Sequence, residues 1–134
     1  AMREDLQEMA MSSDRPVNLD LTTLRFPITA VASILHRVSG VVLFFGSFVL
    51  MALLGMSLDN EAGFADALVM LDNGFVGFIV WGVLAALAYH FVAGLKHLLM
   101  DMGYGETLES GPILAKIAMA FAVVLMVLAG VWVW

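Results

Sequence analysis

Two short runs hold most of the side chains in this sequence that could bind a cofactor or stabilise charge. The first is Ser33-Ile34-Leu35-His36-Arg37-Val38-Ser39-Gly40. On a helix Thr29, Ser33 and Arg37 fall at i, i+4 and i+8, with His36 and Gly40 on the adjoining stripe. Ile28, Val31 and Leu35 make the opposite, apolar face. Arg37 taken alone fits a helix end that snorkels to lipid phosphates. The whole run instead gathers a hydroxyl, an imidazole and a guanidinium, groups that at a membrane boundary face a cavity or a partner. The second run carries His90, Gly94, His97 and Asp101 at i, i+4, i+7 and i+11, again one helix face. Two readings stand for His90: an imidazole hydrogen-bonded to a neighbouring helix, or a neutral axial ligand to haem iron. His90 and His97 lie about 10 Å apart along the axis, too far to share one metal. His36 is expected at the membrane edge, level with His97 rather than with His90. On that register a bis-histidine haem at the depth of His90 takes its second ligand from another chain.

These groups need elements to hold them, and composition decides which. Of 134 residues, 62% are apolar and 13% charged, and the mean hydropathy is +0.97. Soluble domains average about 45–50% apolar and about 25% charged, and so short a chain has too little interior to hide the excess. The absence of cysteine excludes disulfides, cysteine-ligated zinc or iron–sulfur sites and the covalent attachment of c-type haem. A net charge of −6 gives no support for nucleic-acid binding. No carboxylate pair, metal-binding cluster, nucleophile triad or phosphate-binding glycine loop is visible, so hydrolysis and phosphoryl transfer lack machinery.

Apolar stretches at about 38–58, 74–95 and 113–134 each reach the roughly 20 residues that cross a bilayer, and backbone satisfaction in lipid makes them helices. The expected fold is an all-α membrane protein: a short cytoplasmic N-terminal segment (1–26), then an anchor domain (27–134) with transmembrane helices at about 27–58, 74–101 and 112–134. The first apolar stretch starts too late for a secretory signal. Arg3, Arg15, Arg25 and Arg37 precede the first span, and Lys96 and Lys116 flank the connection between the second and third. The connection 59–73 holds Asp59, Glu61, Asp66 and Asp72 and no cation. The positive-inside rule then puts the N-terminus in the cytoplasm and the C-terminus outside, with Trp132 and Trp134 in the outer interfacial belt. The acidic segment 1–14 reads as a mobile tail or a partner-binding arm. Gly40, Gly46, Gly77, Gly82 and Gly94 offer close approach to a helix or a flat cofactor.

Three runs carry a family resemblance: Arg15-Pro16-Val17-Asn18-Leu19-Asp20, then Arg25-Phe26-Pro27-Ile28-Thr29, then Ser33 to Gly40. Together they resemble the cytochrome b subunit of bacterial succinate dehydrogenase. The run His90-Phe91-Val92-Ala93-Gly94-Leu95-Lys96-His97-Leu98-Leu99-Met100-Asp101-Met102-Gly103 is similar to that family's other signature. Lys96 departs from it, standing where the family usually has Arg, which keeps the charge and loses bidentate binding. The resemblance covers about Arg15 to Trp134 and implies a multi-pass anchor of succinate:quinone oxidoreductase in a bacterial inner membrane. Its implied partners are a second three-helix anchor, an iron–sulfur subunit and a flavoprotein holding FAD. It implies that His90 is one axial ligand of haem b, the second coming from the other anchor. His36 and Arg37, with His97 as a secondary candidate, are implied near the haem propionates. Ser33 and Arg37 are implied to line the ubiquinone site, where electrons from succinate oxidation arrive through iron–sulfur clusters. No succinate-oxidising site is visible in this chain. The rival readings are an anchor of a menaquinol-linked fumarate reductase and a tethering scaffold without redox chemistry.

Overall fold

The computed structural model describes residues 1–13 and 27–134. The run Arg15–Asp20 and the cation Arg25 lie outside the described residues. The order is α1 (Met2–Ser13), α2 (Ile28–Asp59), α3 (Glu61–Asp72), α4 (Gly74–Asp101) and α5 (Ser110–Val133), with no strand among the described residues. Helices α2, α4 and α5 are each long and apolar enough to cross a bilayer, which makes this a multi-pass membrane protein. At 1.5 Å per residue, the 32 residues of α2 run about 48 Å. That exceeds a hydrocarbon core of about 30 Å, so α2 extends beyond the apolar layer. Pro27 sits just before it at φ −64°, ψ 156°, and its carbonyl accepts from Ala30 N at 3.0 Å and Val31 N at 3.1 Å. A proline there loses nothing, because its missing N–H would have no helical acceptor.

Two segments that the sequence reading leaves without regular structure are helical. The first is α1, whose first turn carries Glu4 and Asp5 where carboxylates suit the positive end of the helix dipole. The second is the acidic connection, which folds as α3 between two asparagine caps. Asn60, fully extended, breaks the chain after α2, and its Oδ1 accepts from Gly63 N at 2.7 Å. Asn73 closes α3 and opens α4, its Oδ1 accepting from Phe75 N at 3.0 Å and Val76 N at 3.3 Å. Each cap supplies an acceptor to N–H groups that a helix start leaves orphaned.

Helix α4 is the hub, touching α2, α3 and α5. Its partners approach it through small residues. The buried positions of α2 are Ala32, Ser39 and Gly46, seven apart, as in a left-handed helix pair. A Cβ on Gly46 would lie 2.5 Å from Val83 Cγ2, so glycine sets how closely α2 meets α4. Ala115 and Ala122 of α5 are 0% exposed, and Ala122 completes a core with Tyr89, Val92 and Ala93. Tyr89 and Trp81 bind α4 to the backbones beside it: Tyr89 donates to Ala32 O at 2.7 Å, and Trp81 to Met126 O at 3.0 Å. Phe44, Phe45 and Phe48 point outward, the arrangement expected where the surroundings are lipid or another apolar chain. After α4 the chain turns through Gly103 at φ +93°, a conformation that costs glycine little. Gly103 N donates to Met100 O and Tyr104 N to Leu99 O, both at 3.0 Å, and these bonds satisfy the last carbonyls.

Candidate functional site

Because α2 and α4 are antiparallel and close, the start of α2 lies beside the end of α4, and their histidines meet. His36 stacks on His90 with ring centroids 4.1 Å apart and an interplanar angle of 14°. It also lies 5.2 Å from His97 at 58°. This corrects the expectation that His36 is level with His97 alone. His90 and His97 are two turns apart on one face, and the ring entering from α2 fills the gap between them. Gly94 borders that gap, where a Cβ would make ordinary contact with His36 Nε2 at 3.9 Å. Gly40 on α2 is the tighter position, where a Cβ would stand 3.2 Å from His90 Cε1.

The contacts of His90 Nδ1 suit one tautomer. Ser39 Oγ donates its single proton to His36 O at 2.7 Å, so its lone pairs can only accept. His90 Nδ1 lies 3.0 Å from that oxygen and 3.2 Å from His36 O. The carbonyl can only accept, and with the serine proton on His36 O both contacts are hydrogen bonds in the tautomer with hydrogen on Nδ1. In the neutral ring Nε2 then holds the lone pair. An imidazole anchored through one N–H, with its other nitrogen free to donate electrons, is the usual form of a histidine ligand. His36 cannot be its co-ligand as it stands, since stacked rings offer each other faces rather than lone pairs. His36 Nε2 is buried with no hydrogen-bond partner among the described residues. Such an orphan costs about 1–3 kcal/mol and marks a place where a polar group from outside this chain fits. The residues present therefore suit a haem: an imidazole held through Nδ1 and an unsatisfied polar atom stacked beside it.

Ser33 and Arg37 are not drawn into this cluster. Ser33 is half-buried and Arg37 exposed. Their stripe continues through the exposed Val41, Phe44 and Phe48, so hydroxyl and guanidinium face an open side of α2. Lys96, read from sequence as a flanking cation, is only 5% exposed. Ser39 and Tyr89 escape a sequence reading that looks for chemistry residue by residue. The seven-residue spacing of Ala32, Ser39 and Gly46 is the signal that marks Ser39 as inward-facing.

Residues 11–129 match the family described as succinate dehydrogenase/fumarate reductase transmembrane subunit. The chain is 40% identical over 125 residues to the succinate dehydrogenase cytochrome b556 subunit of Coxiella burnetii, covering 92% of this chain and 100% of that one. It is 34% identical over 116 residues to the corresponding b556 subunit of Paracoccus denitrificans, covering 86% and 88%. The succinate dehydrogenase cytochrome b560 subunit of Reclinomonas americana is 31% identical over 127 residues, covering 85% of each chain.

Proposed function

The chain belongs to the succinate dehydrogenase/fumarate reductase transmembrane subunit family, and from that premise we propose that it is the cytochrome b anchor of a succinate:quinone oxidoreductase. One observation carries the reading: His90 Nδ1 is held by Ser39 Oγ and His36 O, which leaves Nε2 to ligate haem b. A second ligand would come from a second anchor subunit, in keeping with the stacked geometry that removes His36 from that role. Haem b, when bound, supplies a one-electron carrier beside the quinone site. His36, through its unpartnered Nε2, with His97 beside it and Arg37 on the next stripe, would serve the propionates of that haem.

Ser33 and Arg37 form the quinone-facing part of the site. The guanidinium donates to a ubiquinone carbonyl oxygen and stabilises the negative charge that develops there, an effect enlarged where water is excluded. Ser33, one turn away, hydrogen-bonds the other carbonyl or orients a water. The guanidinium supplies charge and hydrogen bonds rather than protons, so the two protons of quinone reduction come from water or from a partner's acid. Residues 1–26 form the cytoplasmic segment and 27–134 the anchor, in a bacterial inner membrane. The end bearing Arg37, Lys96 and Lys116 faces the cytoplasm, where an iron–sulfur subunit docks. Succinate oxidation, FAD and the iron–sulfur clusters belong to partner subunits. The relatives' names favour succinate oxidation over fumarate reduction as the physiological direction.

The deciding experiment is a reduced-minus-oxidised visible spectrum of the assembled membrane complex, wild type against His90→Ala. We expect the variant to lose the low-spin b-haem signal. An unchanged spectrum would refute the ligand assignment.

A further inference from the structure

We infer that Ser39 is a positioning residue, the hydroxyl that sets the tautomer and ring orientation of His90. Three serines of α2 make the same local bond to the carbonyl three residues back: Ser39 to His36 O, Ser47 to Phe44 O and Ser57 to Leu54 O, at 2.7, 2.7 and 2.8 Å. This is an ordinary habit of helical serine. Ser47 is exposed and Ser57 half-buried, and both hydroxyls stop at that one bond among the described residues. Ser39 is 6% exposed, and its oxygen lies 3.0 Å from a ring nitrogen on another helix. The local bond consumes the hydroxyl proton, so the oxygen facing α4 can only accept. It therefore selects the ring form with hydrogen on Nδ1. His36 O, at 3.2 Å from the same nitrogen, is a second and longer acceptor. Gly40 admits the ring, and Ser39 turns it.

The inference rests on His90 being an axial ligand. A hydrogen bond to the distal N–H makes an imidazole a stronger donor, and losing such a partner typically weakens metal binding by about 10–100-fold. The stronger donor favours ferric over ferrous iron. Because His36 O remains in Ser39→Ala, we expect the lower end, about tenfold. As a change in ferric preference, that raises the midpoint potential by about 59 mV.

The test is a redox titration and low-spin spectrum of the assembled complex carrying Ser39→Ala, Ser39→Cys, Ser39→Thr or His90→Ala. Cysteine keeps serine's size with a poor acceptor, and serves if the alanine variant does not assemble. Threonine keeps the hydroxyl. Support is a raised potential in Ala or Cys, restored by Thr. If His90→Ala alters nothing, the ligand reading falls and this inference with it. If His90→Ala abolishes the signal while Ala and Cys match wild type, only the inference falls. Equal shifts in Ala, Cys and Thr would assign the effect to packing and overturn it as well.

Discussion

His36 lies flat against His90, centroids 4.1 Å apart and planes 14° from parallel, although the two come from different helices 54 residues apart in sequence. The stack joins an imidazole hydrogen-bonded through Nδ1 to one whose buried Nε2 has no partner among the described residues. It separates two roles that a list of histidines would merge.

Substitution at the two positions should therefore give different results. We expect His36→Phe to keep a low-spin b-type spectrum, because the aromatic ring preserves the stack and His90 remains a ligand. Its signature should be an altered potential or haem retention from the lost Nε2 contact. Loss of the low-spin signal, as expected for His90→Ala, would return His36 to the set of possible ligands.

Helix spacing at the site depends on Gly46, one heptad beyond Ser39. Adding a Cβ there meets Val83 Cγ2 at 2.5 Å and Cγ1 at 2.9 Å. Overpacking of this kind costs about 1–3 kcal/mol. Gly46→Ala should lower the thermal stability of the assembled complex, and Val83→Ala should restore most of the loss in the double variant. Strictly additive effects in that cycle would mean that α2 and α4 do not meet at these residues.

The three spans were legible because lipid makes the rule simple: long uncharged apolar stretches in a chain too short to bury them. The helical connection α3 was less so, since its acidic residues suggest a solvated loop, and only Asn60 and Asn73 betray the caps. His90 was legible as a candidate ligand from its depth, and Ser33 with Arg37 as a stripe from their spacing. What sequence could not give was the crossing of α2 over α4. That crossing depends on Gly46 against Val83 and Gly40 against His90, contacts between residues 37 to 50 positions apart. An assumed register therefore misplaced His36 and gave Ser39 no role.

Orientation has a direct test. The chain contains no cysteine, so single cysteines at Asn60 and Ser110 report the two ends without background. Asn60 caps α3, the acidic connection, and Ser110 begins α5 between the cations Lys96 and Lys116 in sequence. An impermeant thiol reagent applied from the periplasmic face should label position 60 and spare position 110. The reverse pattern would invert the topology and put Arg37 on the wrong side for a cytoplasmic electron donor.

Ser33→Ala and Arg37→Ala should impair electron delivery to ubiquinone while leaving succinate oxidation by an artificial dye acceptor largely intact. The two residues are one turn apart, and Arg37 is exposed on the open side of α2, outside the imidazole cluster. Removing a charge-assisted hydrogen bond costs about 1.5–3 kcal/mol, or roughly one to two decades in rate or affinity. Arg37 should matter more than Ser33, because it supplies charge as well as donors. A lysine replacement should recover only part of the loss, since an ammonium lacks the planar fork that holds a carbonyl in place. If Arg37 served a haem propionate alone, its removal would shift the haem potential and leave quinone reduction near normal. Succinate–quinone and succinate–dye turnover, measured together on the same assembled complex, separate these cases. Equal losses in both assays, or no loss in either, would take Ser33 and Arg37 out of the quinone site.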